Sequence, residues 1–324
     1  MYTLDKIDKK IMIIISENPR ISYTDLGKLI GLTKNTAKYR LDKLMGNVIW
    51  KIMPVVNYQK LLMHPYDVFF KCSLTLAKKK EFEKYISKHK NVLWATSLFG
   101  RWDYYIEFLC KDVFEFDEVV QDVVKHMGNV EEYKTHLSTD RLKIKPLLSE
   151  ITEGVDFKYE FKWPKLNFKP DKIDDLDRKI LHTLCKNGRM HYYEVAERLK
   201  VSLPTIINRI NRMINENIIM KFVPIMWYYK LGYTRNFIVL KMRNYSLADK
   251  EKLRKWFEAD VHTKLALRAA NTNEILTFVC FKTNTDLENY ISELRRNFHN
   301  IIQDVTILNI IDELKLDYFP SGFV

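Results

Sequence analysis

The amino-acid sequence contains one unit twice, and this duplication restricts the possible folds more than any other feature. When the chain is compared with itself at a shift of 169 positions, many identical residues coincide within the first 40 positions. After one additional residue near position 216, the shift becomes 170 and the identities continue to position 61. The chain therefore consists of two copies of one structural unit, which we call copy one and copy two. The identical pairs include Asp5 with Asp174, Asp8 with Asp177, Arg20 with Arg189, Arg40 with Arg209 and Pro54 with Pro224.

The first part of each copy has the spacing of a helix-turn-helix. Apolar residues recur every three or four positions over 4–15, as in an amphipathic helix. Ser22 is placed to cap a second helix that Gly31 ends, and Thr33 is placed to cap a third. A short helix, a tight turn and a capped helix are typical of this motif. Copy two repeats the pattern, with Ser202 as the cap of its third helix.

The second part of each copy alternates strands and helices in the order β-α-β-β-α-β, which is the ferredoxin-like pattern. The predicted strands of copy one lie near 66–76, 91–99, 103–110 and 130–138, with helices near 78–89 and 114–127. Those of copy two lie near 234–242, 262–270, 274–282 and 302–310, with helices near 247–259 and 285–298. The predicted fold class is α+β, a tandem duplication of a winged or helix-turn-helix domain plus a ferredoxin-like βαββαβ domain.

These patterns divide the chain into four predicted domains and one linker. Aromatic residues are frequent in the linker, from Phe157 to Phe168, so we expect it to pack against the domains rather than form a free tether. The predicted bounds are 1–60 and 61–142 for the two domains of copy one, 143–172 for the linker, and 173–232 and 233–324 for the two domains of copy two.

Four sequence motifs in copy one resemble those of a known family. They are Leu4-Asp5-x-x-Asp8-x-x-Ile11, Asn18-Pro19-Arg20-Ile21-Ser22, Leu26-Gly27-x-x-Ile30-Gly31-Leu32-Thr33-x-x-Thr36-Ala37-x-x-Arg40-Leu41-x-x-Leu44, and Gly100-Arg101-Trp102-Asp103. Their order resembles the Lrp/AsnC family, the leucine-responsive or feast/famine regulators. The resemblance implies sequence-specific binding of double-stranded DNA, modulation by a small effector such as an amino acid, and homo-oligomers formed through the ferredoxin-like domains. Fusion of two units departs from the single unit usual in that family, so oligomer size does not carry over.

The charge balance agrees with a DNA partner. Lys and Arg number 53 against 41 Asp and Glu, a net charge of +12, which favours nucleic acid over a membrane surface. With the apolar residues of the third helix facing inward, polar side chains face outward near its N-terminus, where they can reach base edges and phosphates. The candidate DNA-binding residues are Thr33, Lys34, Asn35, Thr36, Lys38, Tyr39 and Arg40 of copy one, and Ser202, Thr205, Asn208, Arg209 and Arg212 of copy two.

Two features of these candidates leave alternatives open. Arg40 is placed either to contact phosphate or to pair within the domain. In copy two, Leu203 and Ile207 have no hydrogen-bond donor, so they either touch thymine methyl groups or pack against another surface. We therefore expect copy one to read DNA more strongly than copy two, so that alanine at Lys38 costs more DNA binding than alanine at Arg209.

The resemblance places the effector site at the turn between the second and third strands of the ferredoxin-like domain. Gly100 allows close approach of the backbone, and the Asp103 carboxylate is suited to an ammonium group. The alternative is an ordinary β-turn. Copy two has Asn271-Thr272-Asn273-Glu274 at this turn, which indicates that its site is lost or changed. The sequence allows the two ferredoxin-like domains to pair within one chain or between chains.

Other functional classes have weak support. The four cysteines and eight histidines show no metal or catalytic spacing, no phosphate loop is present, and we expect neither a cofactor nor a metal. No signal-peptide pattern or apolar run near 18 residues occurs, so we expect a cytoplasmic protein that is not an enzyme and does not bind membranes. The remaining alternatives are a protein-binding adaptor and a tetrapyrrole enzyme like the sirohaem decarboxylases, which have the same fold.

Overall fold

The computed structural model describes residues 1–145, 147–160, 169 and 171–324. The α-helices of these ranges are α1 (Lys6–Glu17), α2 (Tyr23–Ile30), α3 (Lys34–Asn47), α4 (Leu76–Lys88), α5 (Val113–Met127), α6 (Asp175–Lys186), α7 (Tyr192–Leu199), α8 (Leu203–Asn215), α9 (Leu247–Ala259) and α10 (Asn284–Phe298). The strands are β1 (Ile49–Val56), β2 (His64–Cys72), β3 (Val92–Phe99), β4 (Tyr104–Cys110), β5 (Val130–His136), β6 (Ser138–Ile144), β7 (Ile219–Met226), β8 (Thr234–Met242), β9 (Thr263–Ala269), β10 (Glu274–Phe281) and β11 (Ile302–Leu316).

Each copy begins with the predicted helix-turn-helix. The Asp5 and Ser22 side chains cap α1 and α2, and Gly31 ends α2 in the left-handed region at φ 71°. In copy two, α6, α7 and α8 follow the same plan, with Asp174 capping α6 and Lys200 ending α7 at φ 57°. A strand follows each motif, and the two strands, β1 and β7, pair with each other in antiparallel orientation. The two helix-turn-helix domains are thereby joined through a two-stranded sheet.

The ferredoxin-like domains also pair within the chain, through a sheet of nine strands in the order β5-β2-β4-β3-β11-β8-β10-β9-β6. The first half of β11 pairs with β8 of its own copy, and the second half pairs with β3 of copy one. In the same way β5 pairs with β2 of its own copy, while β6 pairs with β9 of copy two. Because only Leu137 separates β5 from β6, the two edge strands are continuous in the chain and close the sheet into a ring.

Aromatic side chains fill the inside of this ring. The Phe237 ring lies 6.1 Å from the Phe69 ring, 4.7 Å from the Tyr105 ring and 5.8 Å from the Phe278 ring, measured between centroids. Phe69 and Phe237 belong to strands that are not neighbours in the sheet, so they meet across the interior. Burial of rings this large contributes strongly to stability and holds the two copies together.

Helices cover the outer face of the sheet on both sides of the ring. Phe82 of α4 and Val120 of α5 belong to one buried core with Ile106 of β4. Leu253 of α9 and Leu294 of α10 belong to the corresponding core of copy two. The β-α-β-β-α-β order is therefore confirmed in both copies, and β8 and α9 have the predicted bounds. In no part of the chain that the structure describes is a helix long and apolar enough to span a membrane.

The linker packs against the first domain, as expected, where the structure describes it. Lys10 lies 5.5 Å above the centre of the Phe157 ring, and the Asn18 side chain donates a hydrogen bond to the Tyr159 hydroxyl. Residues 161–168 lie outside the described residues. Strand β6 crosses the predicted boundary at 142/143, and the domain bounds themselves stay a prediction.

Candidate nucleic-acid interface

The start of α3 is shaped by its cap and its buried stripe. The Thr33 hydroxyl accepts a hydrogen bond from the backbone N–H of Thr36 at 3.2 Å. Ala37, Leu41 and Leu44 are fully buried against the rest of the domain. Together the cap and the stripe fix which face of α3 is turned outward, and the outward face begins at the N-terminus of the helix.

Four polar side chains occupy that outward face. Lys34, Asn35, Lys38 and Tyr39 are exposed, and Tyr39 retains 67% of its accessible surface. Lys38 lies 3.4 Å from Asp42 in an exposed pair that has little energetic weight. These side chains offer hydrogen-bond donors to purine edges, positive charge to phosphates and a phenol to either. The structure therefore brings these four predicted contact residues of copy one together on one accessible surface.

Arg40 does not belong to that outward set, because its guanidinium pairs with α1 and its cap. Nη1 donates to Asp5 at 2.7 Å and to Asp8 at 3.0 Å. The hydrogen bond to Asp5 is the main cause of the raised pKa of Arg40. The structure thus supplies the internal pairing that the sequence left open, and this pairing ties α3 to the start of α1. Phosphate contact by the exposed part of the side chain stays a prediction.

The same arrangement recurs in copy two and engages both of its predicted arginines. Arg209 pairs with Asp174 and Asp177, and Arg212 donates to Asp177 at 2.5 Å. Arg212 also lies 3.5 Å from Glu216. The positive charge of α8 is thus largely matched inside the domain.

The outward face of α8 is more apolar than that of α3. Ser202 caps the helix through the backbone N–H of Thr205, and Pro204 lies in the first turn. Leu203 is 40% exposed and Asn208 is exposed. Of the predicted contact residues, Ser202, Thr205 and Asn208 lie at the accessible end and face of the helix.

Two arginines that sequence reasoning did not assign to a site hold the helix-turn-helix domains against each other. Arg20 donates hydrogen bonds to the carbonyl oxygens of Gly188 and Met190, and its guanidinium lies 4.5 Å from the Tyr192 ring centre. Arg189 reaches back to copy one and donates to the carbonyls of Pro19 and Ile21. We call these contacts the arginine clasp.

The arginine clasp is reciprocal, because Arg20 and Arg189 are equivalent positions of the two copies. Their identity at the shift of 169 was the signal that could have singled them out. Gly188 adds to the joint, since its backbone N–H donates to Ile52 of β1 at 2.7 Å. With β1 and β7 paired as well, α3 and α8 are held in one fixed relation.

The predicted effector turn of copy one packs against the strand that comes from copy two. Gly100 has φ 138°, and a Cβ there would stand 3.0 Å from the carbonyl oxygen of Ile307. The Asp103 carboxylate accepts a hydrogen bond from the backbone N–H of Cys72 at 2.8 Å. A cleft of about 110 Å³ lies beside it, lined by Cys72, Leu74, Lys79, Leu98, Asp103 and Tyr104.

The corresponding turn of copy two is occupied by side chains of copy one. Lys134 donates a hydrogen bond to the Glu274 carboxylate at 2.6 Å, and Nε2 of His136 lies 2.5 Å from the same carboxylate. The backbone N–H of Leu137 donates to the side-chain oxygen of Asn271. Burial opposes ionisation of Glu274, but the bonds from His136 and Lys134 outweigh it and lower its pKa to about 2. This internal ion pair gives a physical reason for treating the two turns as different.

The described residues contain no cluster of three or more His, Cys, Asp or Glu side chains able to hold a metal ion. Cys110, Cys185 and Cys280 are buried free thiols, and Cys72 is half-buried. Burial raises the pKa of the Cys110 and Cys280 thiols to about 12, so they are poor nucleophiles.

Comparisons with protein families identify both parts of the repeated unit. The model described as winged helix-turn-helix DNA-binding matches residues 4–46 and 173–220. The model described as Lrp/AsnC ligand binding domain matches residues 67–148.

Relatives of single-unit length match less than half of this chain. An uncharacterized HTH-type transcriptional regulator of Pyrococcus furiosus is 29% identical over 124 residues, which is 38% of this chain and 82% of the relative. The regulatory protein AsnC of Haemophilus influenzae is 23% identical over 154 residues, 47% of this chain and 99% of the relative.

A solved structure matches the chain along almost its whole length. The crystal structure of the siroheme decarboxylase NirDL has a TM-score of 0.66, with coverage of 98% of this chain and 96% of that chain. The two sequences are 12% identical over this match, so the likeness is one of fold. It extends to the arrangement of both units within one chain.

Proposed function

Because the chain belongs to the Lrp/AsnC family of regulators, with two tandem units fused in one chain, we propose that it is a sequence-specific regulator of transcription that binds double-stranded DNA. The observation that carries this proposal is the fixed pair of helix-turn-helix domains. Each presents a capped third helix with an exposed N-terminal turn, and β1, β7 and the arginine clasp hold the two together. In a two-fold arrangement of this kind, recognition helices enter successive major grooves about 34 Å apart.

The surface chemistry supports DNA as the partner. Lys34, Asn35, Lys38 and Tyr39 project from α3 with few internal bonds to break. The excess of basic residues over the whole chain raises the association rate with a polyanion. We expect copy one to supply most of the hydrogen-bonded base contacts.

Regulation by a small effector is the second part of the proposal. One oxygen of the Asp103 carboxylate is bound to the backbone of Cys72, and the other is suited to an ammonium group such as that of an amino acid. Gly100 lies against β11, a strand of copy two that pairs with β8 of its own copy and with β3 of copy one. A ligand at this turn therefore shifts the relation of the two copies and changes DNA affinity through a coupling free energy. Assembly of several chains through the ferredoxin-like domains belongs to the same proposal.

The test of DNA recognition compares matched lysine variants by fluorescence anisotropy on a duplex that the full chain selects from a random pool. Lys38→Ala should weaken binding to that duplex about tenfold, because the loss of one base contact costs about 1–3 kcal/mol. Lys84→Ala removes an exposed lysine from α4, far along the chain from the recognition helices, and should leave affinity unchanged. Equal losses in both variants would mean that only total charge matters.

The effector proposal is tested by the melting temperature of the full chain with each of the twenty amino acids. A ligand present at 100 times its Kd should stabilise the fold by about 2.7 kcal/mol, and Asp103→Asn should remove that shift. A set of twenty amino acids without any shift would count against an amino-acid effector.

One alternative function is that of a tetrapyrrole enzyme, since the fold neighbour described above is a siroheme decarboxylase. At 12% identity the shared fold does not carry the chemistry. A purified chain with the visible absorption of a bound tetrapyrrole would favour that alternative. A colourless chain that takes up no added iron porphyrin would count against it.

A further inference from the structure

The third helices of the two copies, α3 and α8, differ in chemistry on the outward side of their N-terminal half. The loss of hydrogen-bonding side chains from copy two is confined to the first, second and fifth residues of the helix, near the end that enters the groove. Copy one has hydrogen-bonding groups at all three, and copy two has none. The equivalent pairs are Lys34 and Leu203, Asn35 and Pro204, and Lys38 and Ile207.

The basic residues around α8 argue that this helix still faces a polyanion. Arg198 and Lys200, both exposed, stand at the turn before α8, where copy one has Leu29 and Gly31. Lys200 has φ 57°, in the left-handed region where copy one uses glycine. A lysine is held there although its backbone conformation disfavours a side chain. In a helix-turn-helix the helix before the recognition helix crosses the phosphate backbone, and Arg198 and Lys200 stand at the end of that helix, α7.

An apolar side chain reads one feature of the major groove. Thymine has a C5 methyl group at its groove edge, while the other base edges present hydrogen-bond donors and acceptors. Leu203 is 40% exposed at the first turn, and Ile207, half-buried, lies one turn further along the same side of α8. Their spacing of four residues places them next to each other, as neighbours along one side of a helix.

We infer that Leu203 and Ile207 pack against thymine methyl groups, so that the chain reads an asymmetric operator. This inference rests on the proposed function. Copy one reads its half-site through hydrogen bonds from Lys34, Asn35 and Lys38. Copy two reads a thymine-containing half-site by apolar contact, with Arg198 and Lys200 on the phosphates. Since the arginine clasp fixes the two domains, the order of the two half-sites is fixed as well.

The experiment removes the methyl groups from the DNA rather than side chains alone. The probe is the duplex selected by the full chain from a random pool, with the thymines of one half-site at a time replaced by uracil, which lacks the methyl. Substitution in the half-site that copy two reads should weaken binding about fourfold per contacted methyl. Substitution in the half-site that copy one reads should change the affinity little.

Protein variants then assign the effect to α8. Leu203→Ala should reduce the difference between thymine and uracil about fourfold, leaving the part that Ile207 supplies, and should bind the uracil duplex as the unchanged chain does, which also shows that the variant is folded. Lys34→Ala, the matched change in copy one, should weaken binding and keep the difference. Equal affinity of the unchanged chain for all thymine and uracil duplexes would overturn the inference while leaving DNA binding intact. Failure to select any duplex would instead overturn the proposed function.

Discussion

Breaking the arginine clasp should loosen the pair of helix-turn-helix domains more than it damages either domain. In Arg20→Ala, two hydrogen bonds from a charged group to the Gly188 and Met190 carbonyls are lost, together with the contact on the Tyr192 ring. Hydrogen bonds to charged groups contribute about 1.5 kcal/mol or more each, and the cation–π contact about 0.5–1. We therefore expect the free energy of unfolding to fall by about 3.5–4 kcal/mol.

The second half of the clasp makes the reasoning testable through non-additivity. Arg189→Ala should cost a similar amount, because it loses bonds to Pro19 and Ile21 and a ring contact with Tyr23. Both residues hold one interface, so the double variant should cost about 4–5 kcal/mol rather than the sum of the two single losses. Arg101→Ala, an exposed arginine paired with Glu132 at 3.6 Å, is the control and should change stability by less than about 1 kcal/mol.

The functional consequence appears in how binding depends on half-site spacing. A rigid pair of domains should lose affinity strongly when five base pairs are inserted between the half-sites of the selected duplex, because one helix then faces the wrong side of the DNA. The double variant should bind the unmodified duplex more weakly and lose less on insertion. The assay is urea unfolding followed by anisotropy on the two duplexes. Additive stability losses, or an unchanged dependence on spacing, would refute the role of the clasp.

Three further predictions concern single positions. Lys38→Ala should reduce affinity for the selected duplex, measured by anisotropy, more than Arg209→Ala does. Arg209→Ala should lower the melting temperature more than Lys38→Ala does. The reverse order in both measurements would contradict the proposed difference between the copies. The Glu274 carboxyl, with a pKa of about 2 in the fold, stabilises the protein above about pH 4.5 and loses this contribution as the pH falls toward 2. Glu274→Gln should therefore make the free energy of unfolding depend less on pH in this range, as measured by urea unfolding at several pH values. Gly100→Ala should lower stability by about 1–3 kcal/mol, since φ 138° and the nearby Ile307 carbonyl disfavour a Cβ, and an unchanged melting temperature would show that the turn adapts.

Local patterns in the sequence were enough to predict both halves of each unit. Alternating apolar residues and helix caps depend on neighbours a few positions away, so the helices and most strands were placed correctly. Because of the duplication, each helix and strand could be predicted from two equivalent segments of the sequence. For this reason the βαββαβ order of copy two could be predicted although its strand turn at 271–274 had changed.

Contacts between the copies were beyond sequence reasoning. The second half of β11 carries polar residues such as Asp312, Glu313 and Lys315, which are unlike an ordinary buried strand, and its partner β3 lies more than 200 residues away in the chain. The duplication also could not say whether pairing occurs within or between chains. The structure answers this through the closed nine-stranded ring within one chain.

At the candidate interface, the sequence predicted the exposed face of α3, but it did not determine whether the arginines pair with carboxylates inside the domain. A side-chain pattern on one helix defines its outward face, so Lys34 and Lys38 were recognised. Arg40 and Arg209 lie beside that face, and their carboxylate partners stand 32 and 35 positions earlier in the chain. Only the packed fold brings those charges together.

The proposed function requires that the full chain recognise a DNA sequence with its paired helix-turn-helix domains. The most direct measurement is the affinity for the duplex selected by the chain and for a shuffled duplex of the same composition, over a series of salt concentrations. We predict binding of the selected duplex at least a hundredfold tighter, with affinity falling steeply as salt increases at a slope of about −0.9 for each phosphate contact. Equal affinity for both duplexes, or no binding at low salt, would contradict the claim.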